Sequence, residues 1–189
     1  MFVEKGVAAA SVESIAEAAG YTRGAFYSNF EGKAEVLREL LQRDHDQAQA
    51  NLSAIIEGGG TYEQMRARVI ALYSRYLRNH ECSVLWIEAG LIARRDATFQ
   101  KYINDFRHEK FDQVSAYIRA ASRFDGSPIL VQVDALAFTL VSLCEGVQFS
   151  IMSAPQEMSE GVLQEVLAGF FASALCRQRE ETQTPVMEH

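Results

Sequence analysis

Apolar residues recur at helical spacing along almost the whole of this 189-residue chain. The first such set follows the i, i+3, i+4, i+7 spacing of one helix face: Val12, Ile15, Ala16 and Ala19. The chain holds only three prolines, and runs in which apolar and polar residues alternate are few. Because a half-buried strand needs that alternation, the pattern favours helices. We therefore predict an all-α protein, with short helices in residues 1–45 and longer ones after them.

Capping residues predict where the first helices begin and end. Ser11 stands where an N-cap accepts a hydrogen bond from the first unpaired amides of a helix. Gly20 supplies the left-handed residue that ends this helix, and Thr22 caps a second short one that runs through residue 29. A longer helix is predicted over residues 33–56, where the sequence "EGGG" (57–60) ends it.

Composition narrows the class of protein. The net charge of −7 disfavours a protein that coats nucleic acid without sequence preference, but it leaves room for a small DNA-reading module. The three cysteines, Cys82, Cys144 and Cys176, are odd in number and form no CxxC pair, which is typical of a reducing compartment. Since the N-terminus also lacks the pattern of a secretory segment, we predict a cytoplasmic protein.

The most apolar stretch, residues 129–152, is long enough to cross a membrane but carries two carboxylates, Asp134 and Glu145. A membrane-spanning helix seldom holds such charges, because burying them in lipid costs free energy. We therefore predict a buried or partner-facing helix and no membrane association.

Motifs of enzymes are missing from the sequence. The chain has no G-x-S-x-G, P-loop or H-E-x-x-H pattern. His80 with Cys82, and Asp105 with His108, lack the companion ligands of a metal site. We predict no enzyme activity, no metal and no cofactor, and a cysteine-based redox sensor is disfavoured in the same way.

Two short helices separated by the turn "AGYT" (19–22) form a helix-turn-helix arrangement, whose second helix can lie in the major groove of DNA. Phe26 and Phe30 are four residues apart and would hold this second helix on the core. Tyr27 is rotated by about 100° from Phe26, so its hydroxyl could reach a backbone phosphate. The residues expected to face base edges are Arg23, Gly24, Ala25 and Ser28, and Lys33 could contact phosphate at the next helix start.

Residues 11–37, "SVESIAEAAGYTRGAFYSNFEGKAEVL", resemble the DNA-binding signature of TetR-family transcriptional repressors. The shared pattern is a Ser or Thr cap, an Ile-Ala pair, Ala-Gly at the turn, a Tyr-x-x-Phe and a following Lys. In this chain the pattern is supplied by Ser11, Ile15, Ala16, Ala19, Gly20, Tyr27, Phe30 and Lys33. The resemblance implies a homodimeric repressor that leaves its double-stranded DNA operator when a small-molecule effector binds.

The resemblance also implies roles for individual residues. Phosphate contacts fall to Ser11, Tyr27 and Lys33. Base contacts fall to Arg23, Gly24, Ala25, Ser28 and Asn29, and Thr22 at the helix start completes the predicted DNA-binding set. An arginine in this position can pair bidentately with a guanine, which is worth about 1–3 kcal/mol of discrimination.

By the same resemblance, residues 1–45 form the DNA-binding domain and residues 46–189 a helical effector-binding and dimerisation domain. An effector pocket needs an apolar lining with a few polar groups, and the candidates are Tyr73, Tyr76, Trp86, Phe106, Phe138, Glu145 and Phe149. The last two helices carry apolar stripes wider than one neighbour covers, which predicts a dimer interface there: Leu136, Leu140, Val147, Val162, Val166, Phe170 and Ala174. The alternative is that both stripes are covered within one chain.

Two features depart from the family's pattern. Residues 1–45 carry five Lys or Arg and seven Asp or Glu, a net charge of −2, whereas a DNA-binding module is usually basic. Only "MFVEKG" stands where the family has a longer first helix, so most of that helix is missing. We expect apolar surface to be left open on Ile15, Ala16, Phe26 and Phe30.

Two explanations for the short first helix remain open. The native chain could begin further upstream, or it could be naturally truncated, with a partner subunit or the following long helix covering the gap. The alternative function is a helical ligand-binding or interaction protein that no longer binds DNA.

Overall fold

The computed structural model describes residues 1–78, 80–125, 132–154, 161 and 164–170. Those residues contain eight defined α-helices and no strand, which confirms the all-α class. The helices are α1 (Phe2–Ala9), α2 (Val12–Ala18), α3 (Arg23–Tyr27), α4 (Lys33–Glu57), α5 (Tyr62–Arg78), α6 (His80–Ala93), α7 (Ala97–Asp125) and α8 (Val133–Ser153). Residues 164–170 are helical as well.

The first helices begin at the capping residues that the sequence indicated. At the start of α2, the Ser11 hydroxyl accepts a hydrogen bond from the Ser14 amide at 3.1 Å, and the Ser14 hydroxyl accepts one from the Ser11 amide at 3.2 Å. At the start of α3, Thr22 Oγ1 accepts one from the Ala25 amide at 3.2 Å. Each bond at a helix start satisfies a backbone group that has no partner inside the helix.

The chain divides into two compact units. Unit 1 comprises Met1–Ala48 with Asn79–Arg107, and unit 2 comprises Gln49–Arg78 with His108–His189. The helices α4 and α7 each contribute their first part to unit 1 and their last part to unit 2. This division concerns packing, and the functional boundary expected after residue 45 stays a prediction.

The core of unit 1 is built by α1, α4, α6 and the first part of α7. Its buried side chains are Phe2, Val7, Ala10, Leu37, Leu41, Ala89, Ala93, Phe99 and Phe106. Helix α1 bends at Gly6, whose φ of 75° lies in the left-handed region. A Cβ atom at this position would also stand only 3.0 Å from Glu88 Oε1 of α6. A glycine at position 6 therefore allows both the bend of α1 and the close approach of α6.

Although α1 is short, the apolar side chains of the helix-turn-helix are covered. Ala16 and Phe26 are 3% and 6% exposed, and Ile15 and Phe30 are partly buried. The expectation that a short first helix leaves this surface open is therefore wrong. Part of the cover is local, because the Phe26 ring packs against the rings of Tyr27 and Phe30, with centroids 5.4 and 5.5 Å away.

The core of unit 2 is built by the end of α4, α5, the last part of α7, α8 and the helical residues 164–170. Burial of its apolar surface contributes roughly 25 cal/mol per Å² and is the main stabilising term for such a helical unit. The buried residues are Leu52, Ile55, Met65, Val69, Leu72, Val114, Tyr117, Ile118, Ala121, Ala137, Leu140, Val141, Cys144, Val147 and Leu167.

Two of the residues predicted for the dimer interface lie in this core instead. Leu140 and Val147 are 1% and 8% exposed, so one chain already covers their side chains. Helix α8 is apolar on more than one face, and periodicity alone does not tell which face a helix of the same chain covers. The other candidates were Leu136, Val166 and Phe170, which pack partly buried against the same core, and Val162 and Ala174, which lie outside the described residues.

Among the described residues, α8 is the one helix long and apolar enough to cross a membrane by length and composition alone. One side of α8 is buried in the core of unit 2, through residues such as Ala137 and Val141. Its exposed side includes Asp134, Ser142 and Glu145. These features fit a core helix with one open face, since the core helices of soluble proteins pass the same test.

Candidate functional site

The turn between α2 and α3 is closed by backbone hydrogen bonds. The Gly20 amide donates to the Glu17 carbonyl at 3.0 Å, and the Tyr21 amide donates to the Ala16 carbonyl at 2.8 Å. Gly20 has a φ of 74°, a conformation that residues with a Cβ atom rarely adopt. The turn therefore fixes the direction in which α3 leaves α2, and with it the surface that α3 presents.

Helix α3 is anchored by one side chain and exposes most of the others. Phe26 is buried, whereas Tyr27 is 51% exposed although it is the next residue along the helix. The remaining predicted base-facing positions are exposed apart from Ala25, which is partly buried. The helix thus presents a nearly continuous surface of small and polar side chains.

Arg23 is held by two neighbours on this surface. Its Nη1 lies 2.7 Å from Glu13 Oε1 of α2, and its guanidinium carbon lies 5.6 Å from the centre of the Tyr27 ring. The side chains of Arg23 and Glu13 are 64% and 55% exposed. An ion pair this exposed contributes only about 0–1 kcal/mol, so a better acceptor on DNA could replace the Glu13 carboxylate.

Sequence reasoning missed Glu13 as part of this surface. The two residues of the ion pair are ten positions apart, and the turn brings the starts of α2 and α3 together. A carboxylate in the first turn of α2, one helix before a predicted base-reading arginine, is the signal that could have found it.

Two of the predicted base-reading side chains are tied to their own helix. Ser28 Oγ donates to the Gly24 carbonyl at 3.0 Å, and Asn29 Nδ2 donates to the Ala25 carbonyl at 2.8 Å. A base contact by either residue would replace these bonds or use the side-chain oxygen as an acceptor. Their assignment to base readout stays a prediction.

Lys33 has a structural role that the sequence did not indicate. Its Nζ donates to the carbonyl oxygens of Ala8 at 2.9 Å and Ala10 at 2.7 Å, at the end of α1. A positive charge at the C-terminal end of a helix stabilises the carbonyls that lack partners there. Its predicted phosphate contact stays a prediction, because an ammonium group has three donors and two are used here.

Replacing Lys33 by methionine should therefore destabilise the free protein. Loss of two hydrogen bonds from a charged donor is expected to cost about 1–3 kcal/mol, and each kcal/mol lowers the melting temperature by about 2–4 °C at this chain length. Thermal unfolding followed by circular dichroism measures the effect, with the exposed Lys101→Met as the control. An unchanged melting temperature would show that the two bonds to α1 contribute nothing to stability.

The predicted effector-pocket residues fall into different units. Trp86 and Phe106 lie in unit 1, where Trp86 Nε1 donates to Asp44 Oδ2 at 2.8 Å. The Phe106 ring is the centre of an aromatic cluster there, with His45, Trp86 and Tyr102 at centroid distances of 4.6, 5.5 and 4.4 Å. The other candidates lie in unit 2: Tyr73, Tyr76, Phe138, Glu145 and Phe149.

Within unit 2, Phe138 and Phe149 lie on the open face of α8 and not in its core. They are 56% and 61% exposed, and Phe138 stacks on Phe111 with the ring centroids 5.7 Å apart. Glu145, on the same side of α8, forms an ion pair with Lys110 at 3.1 Å. Both side chains are thus exposed in the single chain, and their assignment to an effector pocket stays a prediction.

Tyr73 and Cys144 belong to the interior of unit 2. Burial raises the pKa of the Tyr73 hydroxyl well above its usual range, and the neighbouring Cys144 and Tyr117 raise it further. Burial also raises the pKa of the Cys144 thiol to about 12, partly opposed by Lys110. Both groups are neutral near pH 7, so Cys144 lacks the thiolate that a redox-reactive cysteine needs.

Three buried polar atoms in unit 2 have no hydrogen-bond partner among the described residues: Arg66 Nε, Ser74 Oγ and Tyr117 Oη. Native structures leave few such groups, and each one points to a missing partner. Arg66 and Ser74 were not among the residues that the sequence suggested for a site. Tyr117 carries a helical apolar pattern like any core aromatic, and only its packing shows that its hydroxyl is buried.

Comparison with known proteins finds the same N-terminal sequence pattern and the same fold. Residues 1–40 match the sequence model of the bacterial regulatory proteins of the tetR family. A TetR-family transcriptional regulator from Rhodococcus sp. has the same fold, with a TM-score of 0.74 at 20% identity, over 92% of this chain and 92% of that one. A transcriptional regulator from Saccharomonospora viridis in complex with choline gives a TM-score of 0.76 at 17% identity, over 90% and 88%.

A third similar structure is SmeT, the repressor of the Stenotrophomonas maltophilia multidrug efflux pump SmeDEF. It gives a TM-score of 0.69 at 24% identity, over 93% of this chain and 83% of that one. At these identities the structures establish the fold, and the sequence match establishes the N-terminal module. Residues 1–40 thus carry the N-terminal module of the tetR family of bacterial regulatory proteins, and the described chain has the fold of TetR-family transcriptional regulators.

Proposed function

We propose that the protein is a cytoplasmic repressor that holds its operator as a homodimer and releases it when a small molecule binds in unit 2. Each subunit would place α3 in the major groove of one half-site. SmeT, which shares the fold, is the repressor of an efflux pump, and the Saccharomonospora regulator holds choline. Repression and effector release in this chain are proposals by analogy with such relatives.

The observation that supports the DNA-binding site is the composition of α3, which includes small residues that the packing of the fold does not require. A Cβ atom added at Gly24 would meet only Thr22 Oγ1, at an ordinary 3.8 Å. The fold therefore does not require glycine here, although a glycine inside a helix costs about 1 kcal/mol relative to alanine. Close approach of α3 to the floor of a DNA groove explains why a residue without a side chain stands at this position.

The other DNA contacts are assigned by their places around α3. Arg23 would exchange Glu13 for a guanine, while Ser11 and Tyr27 would bind phosphates on either side of the groove. Thr22, Ala25, Ser28 and Asn29 complete the proposed surface with Gly24, and Lys33 adds a phosphate contact through its third donor. Phosphate contacts fix the register of the helix, and base contacts supply the sequence preference.

We assign the dimer interface to the open face of α8. Phe138 and Phe149 are largely exposed, which is unusual for two phenylalanines on one helix face. Small residues lie between them on the same face, and a Cβ atom at Gly146 would meet nothing within 4 Å. Such a surface lets an identical helix of a second subunit approach closely, and a two-fold axis brings the same face of each chain together.

Selection of bound duplexes from a random DNA pool by the purified full chain tests this function. The proposal predicts enrichment of an inverted repeat whose half-sites lie about one helical turn apart, or a multiple of it. Recovery of a pool without any common sequence would favour the alternative, a helical ligand-binding protein that does not read DNA.

A further inference from the structure

Unit 2 contains two buried polar atoms, one on α5 and one on α7, that lack a hydrogen-bond partner among the described residues. Tyr117 of α7 is 2% exposed, and its hydroxyl oxygen has no hydrogen-bond partner among the described residues. The Nε atom of Arg66, on α5, is also buried without a hydrogen-bond partner among the described residues. Burying a polar group without a partner costs free energy, so such atoms normally meet a side chain, a water or a ligand.

The two groups interact electrostatically. Burial raises the pKa of the Tyr117 hydroxyl well above its usual range; Tyr62 raises it further, whereas the Arg66 guanidinium lowers it. Arg66 is therefore close enough to act on the hydroxyl of Tyr117. The hydroxyl keeps its proton at physiological pH and can donate a hydrogen bond.

The outer end of the Arg66 side chain forms an ion pair. Its Nη2 lies 2.6 Å from Glu63 Oε2, and the Arg66 side chain is 28% exposed while that of Glu63 is 67% exposed. The guanidinium thus reaches from the surface, where Glu63 balances its charge, to a buried Nε–H that has no partner among the described residues. Ser74 Oγ is a further buried hydroxyl of α5 without a partner, two helical turns away along the helix.

We propose that Tyr117 O–H and Arg66 Nε–H bind the acceptor oxygen of an apolar effector, a carbonyl or a carboxylate, at this edge of the unit 2 core. The apolar body of the effector would pack on residues that form or border the unit 2 core: Tyr62, Met65 and Val69 of α5, and Val114 and Ile118 of α7. This inference rests on the proposed function, because it names the class of effector.

Charge decides between classes of ligand. Both groups can donate a hydrogen bond, and neither has a partner among the described residues, so an acceptor oxygen can satisfy both and a hydrocarbon neither. A quaternary ammonium would meet the positive guanidinium and has no acceptor to offer. A ketone and a carboxylate share the required oxygen, and binding measurements tell them apart.

Isothermal titration of the full chain with four naphthalene probes tests the proposal. The probes are 2-acetylnaphthalene, 2-naphthoate, naphthalene and 2-naphthyltrimethylammonium, which share one apolar body. We expect at least one of the two oxygen-bearing probes to bind about tenfold more tightly than naphthalene, and the ammonium probe to bind least. The tighter of the first two shows whether the natural acceptor is neutral or anionic.

The variant Tyr117→Phe should lower affinity for the oxygen-bearing probes by about tenfold and leave naphthalene unaffected. Tyr102→Phe is the matched control, since the Tyr102 hydroxyl already bonds to the Arg38 carbonyl and Gln42 in unit 1. Without probe, Tyr117→Phe should melt at the same temperature as the parent protein or higher, because it removes an unsatisfied buried hydroxyl.

Three results would overturn the proposal: equal binding of all four probes, binding of none, or a clear drop in the melting temperature of probe-free Tyr117→Phe. The last would mean that an ordered water already satisfies the hydroxyl. Operator binding without probe is a separate readout. If oxygen-bearing probes bind as expected but no DNA is recognised, the effector site stands and the repressor function fails.

Discussion

Phe149→Glu is expected to convert the protein to monomers and to lower operator affinity by about a thousandfold or more. Phe149 is 61% exposed on the open face of α8, beside Glu145, in the surface that we assign to the dimer. A glutamate there would bring like charges from two subunits together across a symmetric, apolar contact, where an unpaired charge is costly.

The loss of DNA affinity follows from the loss of the second half-site. The affinity of a regulator for its specific site typically exceeds its affinity for non-specific DNA by a factor of about 10³–10⁷. A monomer keeps the contacts of only one five-residue recognition helix. Sedimentation velocity measures the subunit number, and fluorescence anisotropy measures affinity for the selected operator. Leu91→Glu is the matched control, since Leu91 is 54% exposed on α6, outside the proposed interface.

If Phe149→Glu still sediments as an unchanged dimer while Leu91→Glu dissociates, the interface lies on α6 and the assignment of α8 is wrong. Circular dichroism of both variants separates this outcome from unfolding, because an exposed side chain contributes little to the core of one chain.

Arg23→Ala is expected to abolish the preference for one base pair in each half-site. A bidentate arginine–guanine pair contributes about 1–3 kcal/mol of discrimination, and a homodimer makes the contact twice. Affinity for the best operator should therefore fall by about 2–6 kcal/mol, while affinity for an operator already mutated at that base pair changes little. Competition titrations against operators with single base changes measure both effects.

Two neighbouring variants make the test specific to Arg23. Tyr27→Phe keeps the ring that lies 5.6 Å from the Arg23 guanidinium and removes only the hydroxyl, so it should weaken binding to all sequences alike. Glu13→Gln removes the carboxylate that pairs with Arg23 and a negative charge near DNA, so it should strengthen binding to all sequences. An Arg23→Ala protein with unchanged affinity and preference would mean that this arginine does not reach the bases.

Local features of the fold could be predicted from the sequence. Ser11 and Thr22 cap α2 and α3 as expected, because a cap depends on residues only three positions apart. The burial of Phe26 beside an exposed Tyr27 follows from helical geometry in the same way. The fold class followed from periodicity, which reports on each helix separately.

Features that depend on distant residues could not be predicted. Lys33 bonds to carbonyls more than twenty residues earlier in the chain, and no local pattern distinguishes such a lysine from one that binds phosphate. On α8 the sequence offers two apolar faces, one through Leu140 and the other through Phe149. Which face enters the core depends on the helices that pack against it, so the burial of Leu140 and the exposure of Phe149 could not be predicted.

The unpaired atoms of unit 2 illustrate the same limit. Arg66 and Tyr117 are 51 residues apart in sequence. Neither stands out from the periodicity of its own helix. Only the packing of the core shows that both atoms are buried without a hydrogen-bond partner among the described residues.

The most direct test of the account is a fluorescence anisotropy titration of the full chain against the DNA flanking its own gene, beside a scrambled duplex of equal length, at several salt concentrations. The account predicts binding to one segment about a thousandfold or more tighter than to the scrambled duplex. Affinity for both duplexes should fall as salt rises, because phosphate contacts release counterions. Equal binding of the two duplexes at every salt concentration would contradict sequence-specific regulation by this helix-turn-helix.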